Sequence, residues 1–381
     1  MILKNELFLE AVRQMKEDVG RENIIYIHLT YVPVPYGVNE QKSKPTQQSV
    51  NLLKQRGIFP DIIIGRCSQF LTREIKAKIS SFCDVSQDAV ITGLDVDDIY
   101  EIPVVFEREN LPEIIHKKLN IYSPPDLRKW KELIENTRNP KNEITVSMCG
   151  KYTRLEDSYA SIVESFNHCS AHLGCKINLK WIETTDLQDT SFIDNTDGIV
   201  VPGGFGSRGT EGKIEIIRLA RERNIPFLGL CLGLQLAVIE FARNICGLSG
   251  ANSTEIEPDT PYPVIDILPE QRNISEKGAT MRLGAYPAVL KKGTLVHSLY
   301  GTEEVSERHR HRYEVNPDYH SVITDKGMVF SGTSLDGRLV EFIELPGLKF
   351  FAATQAHPEL KSRMEKPAPM FFGFIRACLK G

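Results

Sequence analysis

The sequence predicts an α/β fold arranged in two domains, and three observations support that prediction. The chain has 381 residues and a mass of 43.0 kDa, which is long for a single domain. Two stretches alternate short apolar runs with amphipathic segments, the pattern typical of a parallel sheet flanked by helices. Between them lies a polar segment at 121–143 that contains Pro124, Pro125 and Pro140, which predicts a linker. We therefore expect domains at 1–120 and 144–381.

Strand and helix patterns can be placed in order within each stretch. The first domain has strand patterns at 24–32, 60–66 and 89–94, with helical patterns at about 48–55 and 71–82. The second domain opens with a strand pattern at 143–150 and continues with a helix at about 158–172 and strands at 176–182, 197–204 and 225–231. From about Pro261 the apolar runs are short and interrupted by glycine and proline, so only a closing helix is assigned there.

Composition argues against several functional classes. The net charge is 46 − 50 = −4 with no long basic block, which argues against non-specific binding of nucleic acid. No window approaches the ~18 apolar residues that a membrane-spanning helix needs. The N-terminus carries acidic residues early and predicts an amphipathic helix, not a signal or transit peptide. The eight cysteines are scattered without a C-x-x-C pair, which argues against a disulfide framework or a metal site and predicts a cytoplasmic location.

Cys231 is the first candidate catalytic residue. The apolar strand IPFLGL ends at this cysteine, and an apolar helix follows directly. Gly229 and Gly233 flank it and permit a sharp strand-to-helix turn, as in the nucleophile elbow of hydrolases, here with sulfur in place of oxygen. The start of a helix provides a positive field that favours a thiolate. The alternative is a buried core cysteine, but a core cysteine does not require glycine on both sides.

His357 and Glu359 are the candidate partners of the thiolate, because a nucleophile needs a base and the base needs a group that orients it. They stand near the C-terminus in the run Gln-Ala-His-Pro-Glu. Proline between them is expected to hold the backbone extended, so that both side chains project on one side. A histidine near a glutamate is more often a solvated pair, and it becomes a strong signal only together with the cysteine elbow.

The glycine-rich run 201–206 is the third candidate part of the site. Its glycines let backbone N–H groups approach a ligand closely. In an acyl-transfer enzyme these groups would stabilise the tetrahedral oxyanion together with the N–H of Leu232. The competing interpretation is a phosphate-binding loop, which ranks lower because the run lacks the Gly-Lys-Ser/Thr ending of a P-loop.

These three features, in this order on an α/β scaffold, resemble the class I glutamine amidotransferases. Five stretches are similar to CTP synthases specifically: 150–159, 202–244, 251–265, 278–286 and 307–316. The resemblance implies a flavodoxin-like α/β second domain in which Cys231 attacks the side-chain amide of glutamine and ammonia is released. Water then hydrolyses the thioester with His357 as general base, and no cofactor is needed for glutamine hydrolysis.

The resemblance also implies residues that bind glutamine. Carried over by position, these are Gly204, Leu232, Gly233, Leu234, Gln235, Glu255 and Arg312. A carboxylate and a guanidinium suit the charged ends of an amino acid, although Arg312 on its own would be assigned to a solvated basic face. The resemblance further implies that Arg208 takes part in sensing GTP, the allosteric activator of the family.

The first domain is similar to the second half of the CTP synthase synthetase domain, a partial P-loop-like domain with a parallel sheet. The similar stretches are 8–15, 28–34, 42–49, 60–66, 77–85 and 95–103. The resemblance implies contacts with UTP and the inhibitor CTP at Lys42, Ser43, Lys44, Pro45, Thr46, Gln47 and Lys78, and with ATP at Asp95 and Val96. Without it, two lysines on a proline-stiffened loop would be assigned to a surface charge pair and not to a triphosphate clamp.

Two features of the family are not found in this sequence: the N-terminal phosphate loop and the acidic residues that hold Mg²⁺. The similarity begins at about Phe8, and Lys4 stands where an acidic residue is expected. The family reaction is the ATP-dependent amination of UTP to CTP with ammonia from glutamine. We expect a chain truncated relative to the family, which retains glutaminase chemistry and forms a weakened version of the family homotetramer. ATP and Mg²⁺ are then expected to be required by the full-length family enzyme for the amination of UTP.

Two alternatives stay open. The first is a stand-alone glutamine amidotransferase subunit that supplies ammonia to another chain; the retained nucleotide residues argue against it. The second is a non-catalytic regulatory partner of full-length CTP synthase. The intact Cys231, His357 and Glu359 argue against loss of activity.

Overall fold

A computed structural model describes residues 2–38, 40–151, 156–185, 187–204, 206–267 and 281–380. The chain divides into two compact units, Met1–Ile134 and Glu135–Gly381. Both units are α/β, as the sequence predicts. Among these residues, no helix combines the length and the apolar character needed to cross a membrane.

The first unit contains a small parallel sheet with helices on both faces. Its elements are α1 (Ile2–Val19), β1 (Ile27–Tyr31), α2 (Lys44–Lys54), β2 (Ile62–Cys67), α3 (Arg73–Cys83), β3 (Val90–Leu94), α4 (Ile102–Arg108) and α5 (Leu111–Leu119). The strands lie in the order β1-β2-β3, and both pairs are parallel. Along β2, Ile63 packs with residues of α2 and α3, whereas Ile62 and Ile64 pack with residues of α5, because successive strand residues face opposite sides of a sheet.

The polar segment predicted as a linker contains a helix, α6 (Arg128–Arg138). Leu133 and Ile134 on this helix are buried.

The described residues of the second unit form twelve strands, β4 to β15, interspersed with helices. Its elements are β4 (Asn142–Gly150), α7 (Ala160–Leu173), β5 (Cys175–Glu183), β6 (Gly198–Val201), α8 (Thr210–Glu222), β7 (Phe227–Leu230), α9 (Leu232–Asn244), β8 (Ala251–Ser253), β9 (Tyr262–Ile267), β10 (Arg282–Leu290), α10 (Leu295–Tyr300), β11 (Glu304–His311), β12 (Tyr313–Val315), α11 (His320–Thr324), β13 (Val329–Thr333), β14 (Val340–Glu344), β15 (Phe351–Thr354) and α12 (Pro369–Cys378).

Nine of these strands form one sheet in the order β11-β10-β13-β14-β15-β7-β6-β4-β5. The part from β15 to β5 is parallel, and the part from β11 to β15 is antiparallel. A second sheet has the order β12-β9-β8. The last quarter of the chain, left undivided from the sequence, therefore supplies the antiparallel half of the main sheet.

The core of the second unit lies on both faces of the main sheet. Phe227 on β7 packs with residues of α8 and α9, and Leu228 and Leu230 pack with residues of α7 and α12. Helix α9 is buried over most of its length, which suits a helix that is mostly apolar. The buried strand β7 and the buried helix α9 therefore hold the residue between them, Cys231, in a fixed position.

Candidate active site

Cys231 occupies a strained turn between β7 and α9. Its backbone φ is 52° and its ψ is −102°, a conformation that a side chain rarely adopts. Two backbone hydrogen bonds hold the turn: the N–H of Cys231 donates to the carbonyl of Thr354 at 2.7 Å, and its own carbonyl accepts from the N–H of Leu234 at 3.0 Å. The elbow predicted from the sequence is confirmed as a local geometry.

The flanking glycines are needed for close packing. A Cβ on Gly233 would lie 2.2 Å from the carbonyl oxygen of Val201, and a Cβ on Gly229 would lie 2.8 Å from the Cβ of Ala353. Both distances are shorter than van der Waals contact. The left-handed strain of the turn therefore falls on Cys231 itself, while the glycines let β6, α9 and β15 approach the elbow.

The tertiary fold brings His357 to this cysteine. β15 pairs in parallel with β7, with Thr354 opposite Leu230, so the segments that follow both strands leave the same edge of the sheet. A Cβ on Gly203 would lie 2.9 Å from Cε1 of His357 and 3.4 Å from Cβ of Cys231. Both residues therefore contact the same glycine of the run 201–206.

Glu359 contacts His357, but not through the extended backbone that the sequence predicted. Pro358–Lys361 forms a short 3₁₀ helix, with proline at its first position, where a residue without an N–H is tolerated. Within that turn, Oε1 of Glu359 lies 2.7 Å from Nδ1 of His357. The predicted partner is correct and the predicted backbone is wrong, because proline starts a turn here.

The pKa of His357 reflects these two partners. Burial of the ring acts to lower it, but hydrogen bonds to Cys231 and Glu359, together with their negative charges, raise the pKa from 6.5 to about 10. With Nδ1 held by Glu359, the other ring nitrogen, Nε2, serves the cysteine. The raised pKa therefore favours the protonated imidazolium form of His357 at neutral pH.

A small pocket beside the sulfur collects most of the predicted glutamine-binding side chains. Its lining consists of Gly204, Cys231, Gln235, Glu255, His311, Arg312 and Tyr313. Oε1 of Glu255 accepts a hydrogen bond from the N–H of Gly206 at 3.1 Å. The pKa of Tyr313 is raised by burial and by Glu255, and Arg312 acts in the opposite direction. One pocket thus holds a carboxylate and a guanidinium near the nucleophile.

The other predicted glutamine residues lie in the first turn of α9. Leu234 is fully buried in the core, and Gly233 packs against the carbonyl of Val201, so neither offers a side chain to the pocket. Leu232 begins the helix, and its N–H has no carbonyl four residues earlier within the helix to bond. What this turn can offer a ligand is its backbone.

A second cavity, of about 370 Å³, is also lined by Cys231. Its lining includes His357, Glu359, Tyr159, Arg310 and Leu360. Sequence reasoning missed Tyr159, Arg310, His311 and Tyr313. Each stands in a stretch that was assigned to the family resemblance as a whole, and no local pattern separates these positions from their neighbours.

Sequence reasoning also missed Gln355, which is fully buried and donates a hydrogen bond from Nε2 to Sγ of Cys231 at 3.7 Å. A signal was available, because a buried strand pattern leads directly into a glutamine two residues before His357. The same glutamine pairs with Gln235 at 3.2 Å between Oε1 and Nε2.

Comparison with known proteins extends the likeness to the whole chain. Residues 3–121 match the family model described as CTP synthase N-terminus, and residues 154–377 match glutamine amidotransferase class-I. CTP synthases from Methanocaldococcus jannaschii and Borreliella burgdorferi are each 52% identical to it, over 98% and 99% of this chain and 71% and 72% of the relative. The chain belongs to the CTP synthase family.

A solved structure supports the same assignment for the second unit. The glutaminase domain of Trypanosoma brucei CTPS with bound acivicin is 36% identical, covers 62% of this chain and 94% of that domain, and has a TM-score of 0.58. As a member of the CTP synthase family, the chain is a glutamine-hydrolysing ligase whose substrates are glutamine and nucleotides. The resemblance noted from the sequence is confirmed.

The residues that CTP synthase similarity assigns to UTP and CTP do not all lie on a loop. Lys44, Pro45, Thr46 and Gln47 form the first turn of α2, with Ser43 at its N-cap. The predicted loop ends earlier because proline is favoured at the start of a helix. Within this turn Thr46 is fully buried, and Nε2 of Gln47 donates to Oγ of Ser43 at 3.1 Å.

The remaining predicted lysines are exposed and paired with acids. Nζ of Lys42 lies 2.6 Å from Glu40, and Nζ of Lys78 lies 2.8 Å from Glu74. The pKa of Lys78 is raised, first by the hydrogen bond to Glu74 and in smaller part by the charge of Glu40. Glu40 therefore stands between two lysines that similarity assigns to one nucleotide.

The residues assigned to ATP lie after β3. Nε of Arg66 donates to Oδ1 of Asp95 at 2.7 Å, and both residues line a cavity of about 470 Å³ with Tyr31. Val96 follows and is half-buried. Arg208, assigned to GTP sensing, is exposed and donates to the carbonyl of Lys151 at 3.1 Å. Over the described ranges, no three His, Cys, Asp or Glu side chains are grouped so that they could hold a metal.

Proposed function

We propose that Cys231, His357 and Glu359 hydrolyse the side-chain amide of glutamine, and that this reaction supplies ammonia for the amination of UTP to CTP. One observation carries the proposal. Cys231, His357 and Glu359 line one cavity, Nδ1 of His357 lies 2.7 Å from Oε1 of Glu359, and the pKa of His357 is raised to about 10, so a nucleophile, a proton donor and an orienting carboxylate meet there.

In the first half of the reaction the thiolate of Cys231 attacks the carboxamide carbon, and a C–S bond forms. The negative charge moves to the amide oxygen. When the tetrahedral intermediate collapses, the C–N bond breaks and the proton on Nε2 of His357 moves to the leaving nitrogen. Ammonia leaves, and a glutamyl thioester remains on Cys231.

In the second half His357 acts as a base. Once the sulfur is acylated its negative charge is gone, so one of the two interactions that raise the pKa of His357 is lost. The neutral ring can then take a proton from water as the water attacks the thioester. Collapse of this second intermediate releases glutamate and restores the thiolate–imidazolium pair.

Backbone N–H groups are proposed to stabilise both tetrahedral intermediates. Leu232 offers an N–H at the start of α9, where the helix dipole is positive. Gly203 and Gly204 lie beside the nucleophile, and a Cβ on Gly203 would occupy space close to His357 and Cys231. A side chain at 203 would therefore disturb the pair, which is the physical reason for glycine there.

Glutamine is proposed to lie in the small pocket with its side-chain amide at Cys231. Glu255 suits its ammonium group, and Arg312 suits its carboxylate. Nε2 of Gln235 already donates to the carbonyl of Tyr313 at 2.9 Å and to Gln355, so only its Oε1 can face the substrate, as an acceptor. The run Leu232–Gln235 would contribute through its backbone.

For the synthetase half we propose that Lys42, Ser43, Lys44, Pro45, Thr46, Gln47 and Lys78 contribute to a UTP or CTP site, and Asp95 and Val96 to an ATP site. The two lysines beside Glu40 support the first assignment. Burial of Thr46 limits its role to supporting the helix turn. The described residues do not form a Mg²⁺ ligand set, so no step is derived through the ion.

GTP activation through Arg208 and assembly into homotetramers remain proposals from the family resemblance. The domain bounds 1–120 and 144–381 and a cytoplasmic location remain proposals from the sequence pattern.

The test is ammonia release from glutamine. Cys231→Ala should remove it, because Cys231 is the one cysteine among the described residues that line this cavity. Binding of glutamine should persist, since the rest of the pocket is intact. Ammonia release by the variant at the rate of the parent would show that Cys231 is not the nucleophile. Cys246→Ala is the matched control: that cysteine lies at the end of α9 and should leave the rate unchanged.

A further inference from the structure

Gln355 stands directly beside the nucleophile in the strand register. Because β15 and β7 pair in parallel with Thr354 opposite Leu230, the next residues of the two segments, Gln355 and Cys231, emerge side by side. The backbone N–H of Gln355 donates to the carbonyl of Glu341 on β14 at 2.9 Å, which anchors its main chain. Its side chain is fully buried and reaches the sulfur.

The orientation of its amide follows from a chain of hydrogen bonds. The carbonyl oxygen of Tyr313 can only accept, so Gln235 must present Nε2 to it, at 2.9 Å. The same nitrogen donates to Gln355 at 3.2 Å, which requires Gln355 to present its oxygen. Gln355 must then direct Nε2 toward the sulfur, at 3.7 Å. Reversing either amide would bring two donors or two acceptors together in a buried site.

The sulfur is therefore placed to accept a hydrogen bond, and a thiolate accepts more strongly than a thiol. A further polar neighbour of the sulfur is the carbonyl of Arg310 at 3.9 Å, which suits only the protonated thiol. The side-chain N–H of Gln355 acts in the opposite direction, because it donates to the sulfur and so favours the thiolate. The side chain of Gln235 is only 3% exposed, so water cannot reach this position to donate the hydrogen bond to Gln355 in its place.

We propose that Gln355 stabilises the thiolate form of Cys231 through a buried N–H···S hydrogen bond, and that Gln235 acts as the positioning residue that holds the Gln355 amide in the donating orientation. The inference rests on the proposed role of Cys231 as nucleophile. Gln235 thereby has two functions, one toward the substrate through its oxygen and one toward the thiolate through its nitrogen.

Other groups also face the sulfur and must be kept constant in a test. The titratable and charged residues that line its two cavities, apart from Cys231 itself, are Tyr159, Glu255, Arg310, His311, Arg312, Tyr313, His357 and Glu359. A substitution at Gln355 changes none of them. A shift in the reactivity of Cys231 with pH can then be assigned to the lost donor.

The experiment measures alkylation of Cys231 by iodoacetamide between pH 5 and 10, read by mass spectrometry of the peptide that contains it. Gln355→Met keeps the length of the side chain and removes the donor. Loss of a hydrogen bond to a charged group should move the midpoint of the rate profile upward by about one pH unit and slow alkylation near pH 7 about tenfold. A role in packing alone would lower the melting temperature without moving the midpoint.

Gln41→Met is the matched control, because Gln41 is also buried and its amide donates to a backbone carbonyl, that of Phe70, at 2.8 Å. It should leave the profile at Cys231 unchanged. Gln355→Glu, which keeps the shape and adds a negative charge, should move the midpoint at least as far as Gln355→Met and serves if the methionine variant does not fold. An unchanged midpoint in a folded Gln355 variant overturns the proposal. Failure of the nucleophile assignment would instead appear as ammonia release by Cys231→Ala.

Discussion

Glu359→Gln tests how the carboxylate sets the proton affinity of His357. Oε1 of Glu359 lies 2.7 Å from Nδ1, and its side chain is 7% exposed, so solvent screens this interaction little. An amide of the same shape can still accept a hydrogen bond from the Nδ1–H of His357, but it carries no charge. The substitution therefore removes the charge and keeps the contact.

The magnitude follows from the hydrogen bond. A bond to a charged partner contributes about 1.5–3 kcal/mol and a neutral one about 0.5–1.5 kcal/mol, a difference of roughly 1–1.5 kcal/mol. At 1.36 kcal/mol for each pH unit, the pKa of His357 should fall by about one unit. Since the charge of Glu359 raises this pKa from 6.5 toward about 10, the sign of the change is downward.

The assay is kcat/KM for glutamine hydrolysis as a function of pH. We expect the basic limb, where the imidazolium loses its proton, to move about one unit toward lower pH. Glu240→Gln is the matched control: Glu240 is fully buried and paired with Arg221 at 2.7 Å, so it should lose stability and keep the pH profile. A basic limb that stays in place in folded Glu359→Gln would refute the assignment of Glu359 as the group that holds the proton on His357.

Two further variants test the packing around the site. Gly233→Ala should lower stability by about 1–3 kcal/mol in thermal unfolding, because the new Cβ would lie 2.2 Å from a backbone carbonyl oxygen of β6; Gly204→Ala, whose Cβ would have its nearest neighbour at 3.8 Å, should unfold like the parent, and equal losses in both would contradict the reasoning. Arg282→Met should cost about 3–5 kcal/mol at pH 7 in urea unfolding, because Arg282 lies 2.6 Å from Glu341 and 3.5 Å from Glu314 in the core. Burial raises the pKa of both carboxyls, and Arg282 opposes this rise. Without the arginine, the free energy of unfolding should fall as the pH rises above the pKa that the carboxyls have in the unfolded chain, and should be partly regained near pH 5. A loss of unfolding free energy that does not depend on pH would contradict this.

The functional residues predicted from the sequence are those that a pattern of a few neighbouring residues identifies. The run around Cys231 combines a buried strand, two glycines and a buried helix, and these local features predict an elbow wherever the rest of the chain lies. The neighbours His357 and Glu359 were found for the same reason, although Pro358 starts a 3₁₀ turn and not an extended segment. Local preference for a turn was underestimated there, as it was at Pro45.

The antiparallel half of the main sheet could not be predicted in the same way. Several of its strands carry polar residues that become buried, such as Glu341 on β14, and Glu314 on β12 of the second sheet is buried as well. A buried carboxylate looks like a surface residue in a sequence until its partner is known. Arg282, the partner of both, lies on a different strand, so the pattern acquires meaning only after the strands have paired.

The sequence alone determined that the fold is α/β, that Cys231 lies in a nucleophile elbow, that His357 and Glu359 are its candidate base and orienting acid, and which family the chain resembles. Only the tertiary structure decided that β15 lies beside β7, which brings Gln355 to a cysteine 124 positions earlier in the chain and sets the direction of its amide. The reason is physical: periodicity and turn chemistry act over a few residues, whereas strand pairing and buried hydrogen-bond networks depend on contacts between distant segments that no local pattern specifies.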